Sequence, residues 1–160
     1  MRRLTRVGAK VAPRPEGQRA RYTVGAAMRS ILIVDDSPTI RRMVRSALRH
    51  LPTGFAEAAS GLEAIEQLSL TEVDLMVLDL NMPDMHGIEV LKFVRRHPKY
   101  ARLPIIVLTT RGDDASRDSA IAAGATLYLT KPFVASALAD TAMTLLESSA
   151  ANEGASHVES

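Results

Sequence analysis

Ser30-Ile31-Leu32-Ile33-Val34-Asp35-Asp36-Ser37-Pro38 decides how the rest of the chain is read. Four apolar residues end on two carboxylates. Ser37 then suits a helix N-cap, and Pro38 suits the first helical position, where its missing N–H needs no partner. The stretch reads as strand end, loop and helix start. The same punctuation recurs downstream. Leu75-Met76-Val77-Leu78 ends on Asp79, Ile105-Ile106-Val107-Leu108 ends on Thr109, and Leu127-Tyr128-Leu129 leads through Thr130 to Lys131-Pro132. A shorter strand is predicted at Phe55–Ala58. Between the strands lie stripes at helical spacing: Ile40, Met43, Val44, Ala47 and Leu48, ended by Pro52 and Gly54; then Leu62, Ile65 and Leu68 after Ser60 and Gly61; then Ile88, Leu91 and Val94, stopped by His97-Pro98. A weak stripe over 114–123 closes at Gly124, and Val134, Leu138, Ala142 and Leu145 form the last.

The pattern is an α/β chain of five strand–helix units, (βα)₅. Its central strands are apolar throughout rather than alternating, as in parallel strands covered on both faces. Right-handed crossovers place helices on both sides of such a sheet, and ligands bind outside the C-terminal strand ends. Asp35, Asp36, Asp79, Thr109 and Lys131 would all meet at that edge.

Bulk composition limits the function classes. The 160 residues suit one domain with tails. No cysteine is present, which excludes thiol catalysis, disulfides and cysteine-ligated metal. No apolar run approaches the ~20 residues of a membrane span, and no signal peptide is apparent. Residues 1–27 hold seven basic residues and one acid, a net +6, so with +2 overall the remainder carries −4. Residues 1–29 are expected to be a disordered basic extension, with Met28 an alternative translation start and an acidic partner as the functional reading of the arm. The folded unit is expected over 30–149 and a frayed tail over 150–160. No Lys or Arg follows Lys131, so no DNA-binding output domain is expected.

Three carboxylates in one pocket repel one another unless a cation is present. A hard divalent ion, Mg²⁺ or Mn²⁺, answers that need through oxygen ligands. Asp79 is the candidate nucleophile, since a carboxylate can accept a phosphoryl group. Asp36, Asp79 and the backbone carbonyl of Asn81 are the expected direct ligands, with Asp35 acting through water. Lys131 supplies positive charge for the transferred oxygens, and Thr109 offers a hydroxyl to one of them.

Residues 30–148 resemble the receiver domains of two-component response regulators, the CheY-like family. The resemblance rests on Val34-Asp35-Asp36-Ser37, Asp79-Leu80-Asn81-Met82-Pro83-Asp84-Met85-His86-Gly87, Leu108-Thr109 and Lys131-Pro132-Phe133. It implies a flavodoxin-like sheet of order 2-1-3-4-5, a sheet order for which CheY itself serves as the standard example. It implies phosphorylation of Asp79 from a phosphohistidine with Mg²⁺, Asp35 and Asp36 as the acidic pair, Thr109 as switch hydroxyl, Lys131 as phosphoryl contact, and a cis Lys131–Pro132 peptide. Tyr128 falls at the family's switch aromatic, which would remodel the surface of the fourth helix, fifth strand and fifth helix. The partners implied are a sensor histidine kinase or a histidine phosphotransfer protein, and a downstream protein target. The protein is expected to be a stand-alone cytoplasmic receiver, in chemotaxis-type or phosphorelay signalling. Thr110, Arg111 and Asn81 are candidates for setting the rate. His86 reads as a surface residue, and Met43, Met82 and Met85 as packing residues. Two competitors are an aspartyl-phosphate phosphohydrolase of the haloacid-dehalogenase type and a scaffold that is never phosphorylated.

Overall fold

The structure is a computed structural model and describes residues 28–110 and 114–155. Among the described residues ten elements alternate: β1 (Arg29–Val34), α1 (Pro38–Leu48), β2 (Thr53–Ala58), α2 (Gly61–Leu70), β3 (Leu75–Leu78), α3 (Gly87–Arg96), β4 (Ile105–Thr109), α4 (Asp114–Ala122), β5 (Leu127–Thr130) and α5 (Ala135–Ala155). The strands form one parallel sheet in the order β2-β1-β3-β4-β5, the order that the resemblance implies. Val34 pairs with Leu78 on one side and Ala58 on the other, which puts Asp35 and Asp79 just past one shared edge.

The sheet separates two apolar layers. Ile31, Ile33, Val77 and Ile106 face α1 and α5 with Val44, Leu48, Leu138 and Ala142. Leu32, Val34, Met76 and Leu78 face α2, α3 and α4 with Ala64, Leu68, Val90 and Leu91. β1, β3 and β4 therefore present apolar side chains to both sides, which is why those runs do not alternate.

Several sequence expectations are corrected. Arg29 belongs to β1 rather than to the extension, and Gly54 lies inside β2. Leu62 is 63% exposed because the buried stripe of α2 is Gly61, Ala64 and Leu68, one position over. Val134 is 66% exposed: it precedes α5, whose buried stripe is Leu138, Ala142 and Leu146, with Leu145 only partly covered. Met43 points outward from α1. The last helix does not fray at 150 but runs to Ala155, while 1–27 and 156–160 lie outside the described residues.

α4 is the least anchored helix, with Ala120 its buried residue. Its C-terminal turn is nevertheless gripped from α3. Arg95 donates from Nε to the Gly124 carbonyl at 2.8 Å and from Nη1 to the carbonyls of Tyr100 and Ala101 at 3.3 Å each. Burial pulls the Arg95 guanidinium below its ordinary pKa. Gly124 has φ +110°, and a Cβ there would stand 2.6 Å from Arg95 Cγ, so both conformation and space call for glycine.

Candidate functional site

Each side chain of the predicted pocket is delivered by a strand end. Ser37 caps α1 by accepting from the Ile40 N–H at 3.3 Å. The turn before it is fixed by Asp35, whose Oδ1 accepts from the Ser37 N–H at 2.9 Å. Arg41 reaches back from α1 and donates to the Asp35 carbonyl at 2.6 Å. The Asp79 N–H donates to the Val34 carbonyl at 2.9 Å, which ties the end of β3 to the end of β1.

Asp35, Asp36 and Asp79 offer carboxylate oxygens within 4.8 Å of one another. Asp35 and Asp79 are each only 4% exposed, whereas Asp36 is open to solvent. Lys131 enters from the end of β5. Its Nζ lies 2.6 Å from Asp35 Oδ2 and 3.5 Å from Asp79 Oδ1. Three carboxylates thus face one ammonium, and the deficit shows in Asp79. Its pKa is raised from the ordinary value, first by burial and next by the charge of Asp35, against the smaller opposing effects of Lys131 and the Asn81 backbone N–H. Both oxygens of Asp35 already have partners, which suits a contact to a metal through water. Asp36 makes no ion pair among the described residues. This all-oxygen donor set with surplus negative charge fits a hard divalent cation.

Thr109 is fully buried at the end of β4, and Asn81 Nδ2 donates to its Oγ1 at 3.0 Å. The Lys131 N–H donates to the Thr109 carbonyl at 2.7 Å, so the two residues share one backbone bond between β4 and β5. Tyr128 is half-buried and packs against the layer beneath α2, α3 and α4. Thr110 is exposed just past Thr109, while Arg111 lies outside the described residues. The Lys131–Pro132 peptide is cis.

The β3–α3 loop holds residues whose structural roles the sequence did not disclose. Asp84 accepts from the Gly61 and Leu62 N–H groups at 3.3 Å each and so caps α2 from another loop. Slight burial works against its charge, but the backbone N–H groups of Leu62, Gly61 and Met85 outweigh it and hold the carboxyl below its ordinary pKa. His86 caps α3, its Nδ1 accepting from the Ile88 N–H at 3.2 Å. Gly87 crosses the loop so closely that a Cβ would lie 2.5 Å from the Asp79 carbonyl oxygen. An acid or imidazole directly before a helix start is a sequence signal for a cap. The capping of α2 by a residue more than twenty positions away leaves no such signal. Met82 is buried and Met85 packs against the core, as expected of both.

A groove of about 390 Å³ runs beside the pocket, lined by Asn81, His86, Ile88, Thr109, Ala115 and Ser116.

Residues 31–143 match the family model described as the response regulator receiver domain. The chain is 42% identical over 105 residues to the chemotaxis protein CheY homolog of Campylobacter jejuni, covering 64% of this chain and 81% of that one. It is 38% identical over 105 residues to chemotaxis protein CheY1 of Helicobacter pylori, covering 64% and 85% respectively. Among solved structures it is similar to chemotaxis protein CheY4 of Vibrio cholerae, with a TM-score of 0.70, 37% identity, and 74% of this chain and 99% of that chain covered.

Proposed function

Because the chain belongs to the response regulator receiver family, we propose that it accepts a phosphoryl group on Asp79 and converts that event into a change of docking surface. The observation that carries the reading is the juxtaposition of three carboxylates within 4.8 Å, with Lys131 Nζ at 2.6 Å from one and 3.5 Å from another. The donor is the phosphohistidine of a sensor histidine kinase or of a histidine phosphotransfer protein. An Asp79 oxygen attacks phosphorus as the P–N bond breaks, and the imidazole leaves with that electron pair. Mg²⁺ or Mn²⁺, when bound, places positive charge against the phosphoryl oxygens. The residues that would hold it are Asp36, Asp79 and the Asn81 carbonyl, with Asp35 through water. Lys131 is placed to neutralise a phosphoryl oxygen, and in so loose a transition state such positioning does most of the work.

Thr109 would then give up its contact with Asn81 and donate to the phosphoryl group. The space it leaves lets Tyr128 turn inward, which alters the face formed by α4, β5 and α5. A downstream protein reads that face, in chemotaxis-type or relay signalling in the cytoplasm. No helix among the described residues is long and apolar enough to cross a membrane.

Acetyl phosphate with Mg²⁺, followed by intact mass, tests this reading. One slowly lost phosphate per chain is expected, absent in Asp79→Asn. Rapid multiple turnover would instead favour a phosphohydrolase, although Asn81 offers no acid two residues past Asp79. No adduct at all would leave only a scaffold.

Asn81, Thr110 and Arg111 are the residues we assign to setting the lifetime. Thr110→Ala removes bulk beside the pocket and should shorten the adduct's half-life about two- to fivefold, under ~1 kcal/mol of barrier. Decay of the adduct mass measures it, and an unchanged half-life would remove Thr110 from the set.

A further inference from the structure

α5 carries an unusual charge pattern for an exposed helix. Asp140, Glu147 and Glu153 are its only charged side chains, and no Lys or Arg follows Lys131 anywhere in the chain. Asp140 and Glu147 are seven residues apart and so lie on one face, with exposed Met143 and Thr144 between them. Neither acid forms an ion pair among the described residues, and α5 itself carries no Lys or Arg that could supply one. An acidic helix face without counter-charge is an unpartnered surface.

The start of β1 lies against this helix. Arg29, the first residue of β1, donates from its guanidinium to the Leu146 carbonyl of α5. Residues 1–27 are therefore tethered, through Met28, at a point beside α5. Residues 1–27 hold Arg2, Arg3, Arg6, Lys10, Arg14, Arg19 and Arg21 against one acid, Glu16. Fully extended, 27 residues reach ~90 Å, against ~32 Å for the length of α5. A tether of that reach holds the arm near the helix at an effective concentration of order mM. The other neighbour of α5 is α1, whose exposed Arg42, Arg45 and Arg49 repel the arm. On its other side the pocket acids are partly neutralised by Lys131. Charge and attachment point to the same face.

We propose that the basic N-terminal segment docks on the acidic face of α5 in its own chain, held by arginines against Asp140 and Glu147 around Met143. The arm would then compete with any downstream partner for the α5 part of the switching face. That consequence rests on the proposed function, whereas the docking itself does not.

The test compares amide NMR spectra of the full-length wild type with those of the full-length Arg14→Gln/Arg19→Gln/Arg21→Gln variant. At about 50 mM salt the amides of Asp140, Met143, Thr144 and Glu147 should differ between the two. The difference should vanish near 0.5 M salt, where the screening length falls to a few ångströms. An Asp140→Asn/Glu147→Gln background should abolish it too, while loading of Asp79 from acetyl phosphate stays unchanged in every variant. Coincident α5 amides at low salt would overturn the proposal. So would differences confined to α1 or to the Asp35–Asp36–Asp79 pocket. Differences that grow with protein concentration would assign the arm to a second copy and overturn the own-chain contact. A failure to load phosphate would count against the proposed function instead, and leaves the α5 comparison readable.

Discussion

Lys131→Ala should lower the stability of the metal-free protein by about 3 kcal/mol, the low end for breaking a buried ion pair, because the Lys131 side chain keeps 10% exposure. Lys131 is the ammonium that faces Asp35 at 2.6 Å and Asp79 at 3.5 Å. Its loss leaves two carboxylates, each 4% exposed, without a counter-charge. Millimolar Mg²⁺ should restore more stability to the variant than to wild type, since a ligand that binds only the folded state stabilises it by mass action. Asp79→Asn should move in the opposite direction. The folded-state pKa of Asp79 is raised, by burial first and by Asp35 second, so the native state binds the proton more tightly than the unfolded chain. Stability attributable to Asp79 is therefore lost as pH rises from its ordinary value of about 3.8 through the raised folded value, and above that folded value the penalty is fully present. Asn removes that penalty, and the variant should melt above wild type in EDTA. Urea titrations at pH 7 with EDTA or Mg²⁺ measure all of this. Equal stability of Lys131→Ala and wild type in EDTA would show that the ammonium balances nothing. Lys131→Ala should also weaken the coupling of phosphorylation to partner binding, which affinity measurements on loaded protein would read.

Gly87→Ala is expected to cost about 3 kcal/mol, at the upper end for overpacking, and to impair phosphorylation of whatever protein still folds. The added Cβ would lie 2.5 Å from the Asp79 carbonyl oxygen and 2.7 Å from Leu80 Cα. Both are backbone atoms, and the Gly87 N–H is bonded to the Leu80 carbonyl at 2.8 Å, so the loop has no side chain to move aside. Relief requires shifting the peptide that carries the nucleophile. Gly54→Ala is the control, because its Cβ would meet only the Arg29 carbonyl oxygen, at an ordinary 3.9 Å. Circular dichroism melts should show Gly87→Ala much less stable than Gly54→Ala. Equal melts would mean that the β3–α3 loop yields to the added methyl.

The fold was legible because β1, β3 and β4 are apolar on both faces and each ends on a polar side chain. Few architectures besides a covered parallel sheet produce that pattern. The pocket was legible for the same reason, since register alone brings Asp35 beside Asp79. Side-chain direction was harder. Leu62 and Val134 sit at helix starts, where one residue of phase decides between core and solvent, and the buried stripes keep Leu68 in α2 and Leu138 and Ala142 in α5 but begin elsewhere. Asp84 and Arg95 were not visible as structural residues because each acts on backbone groups far along the chain, at Gly61 and Gly124. Periodicity carries no information about such contacts. His86 could have been read as a cap, but imidazole is a rarer acceptor there than hydroxyl or carboxylate.

The grip of Arg95 on the Gly124 carbonyl has a mechanical meaning. A rod pinned at one end and lightly seated along its length is a lever. α4 is pinned just past its C-terminus and seats little more than Ala120 in the core. Any displacement of it is a swing about that pivot, least at Ala122 and greatest at Asp114. The far end of the swing is where Ala115 and Ser116 wall the groove opposite Asn81 and His86. Thr109 lines that same groove, so a shift of its hydroxyl acts at the free end of the lever, where the least force turns the helix.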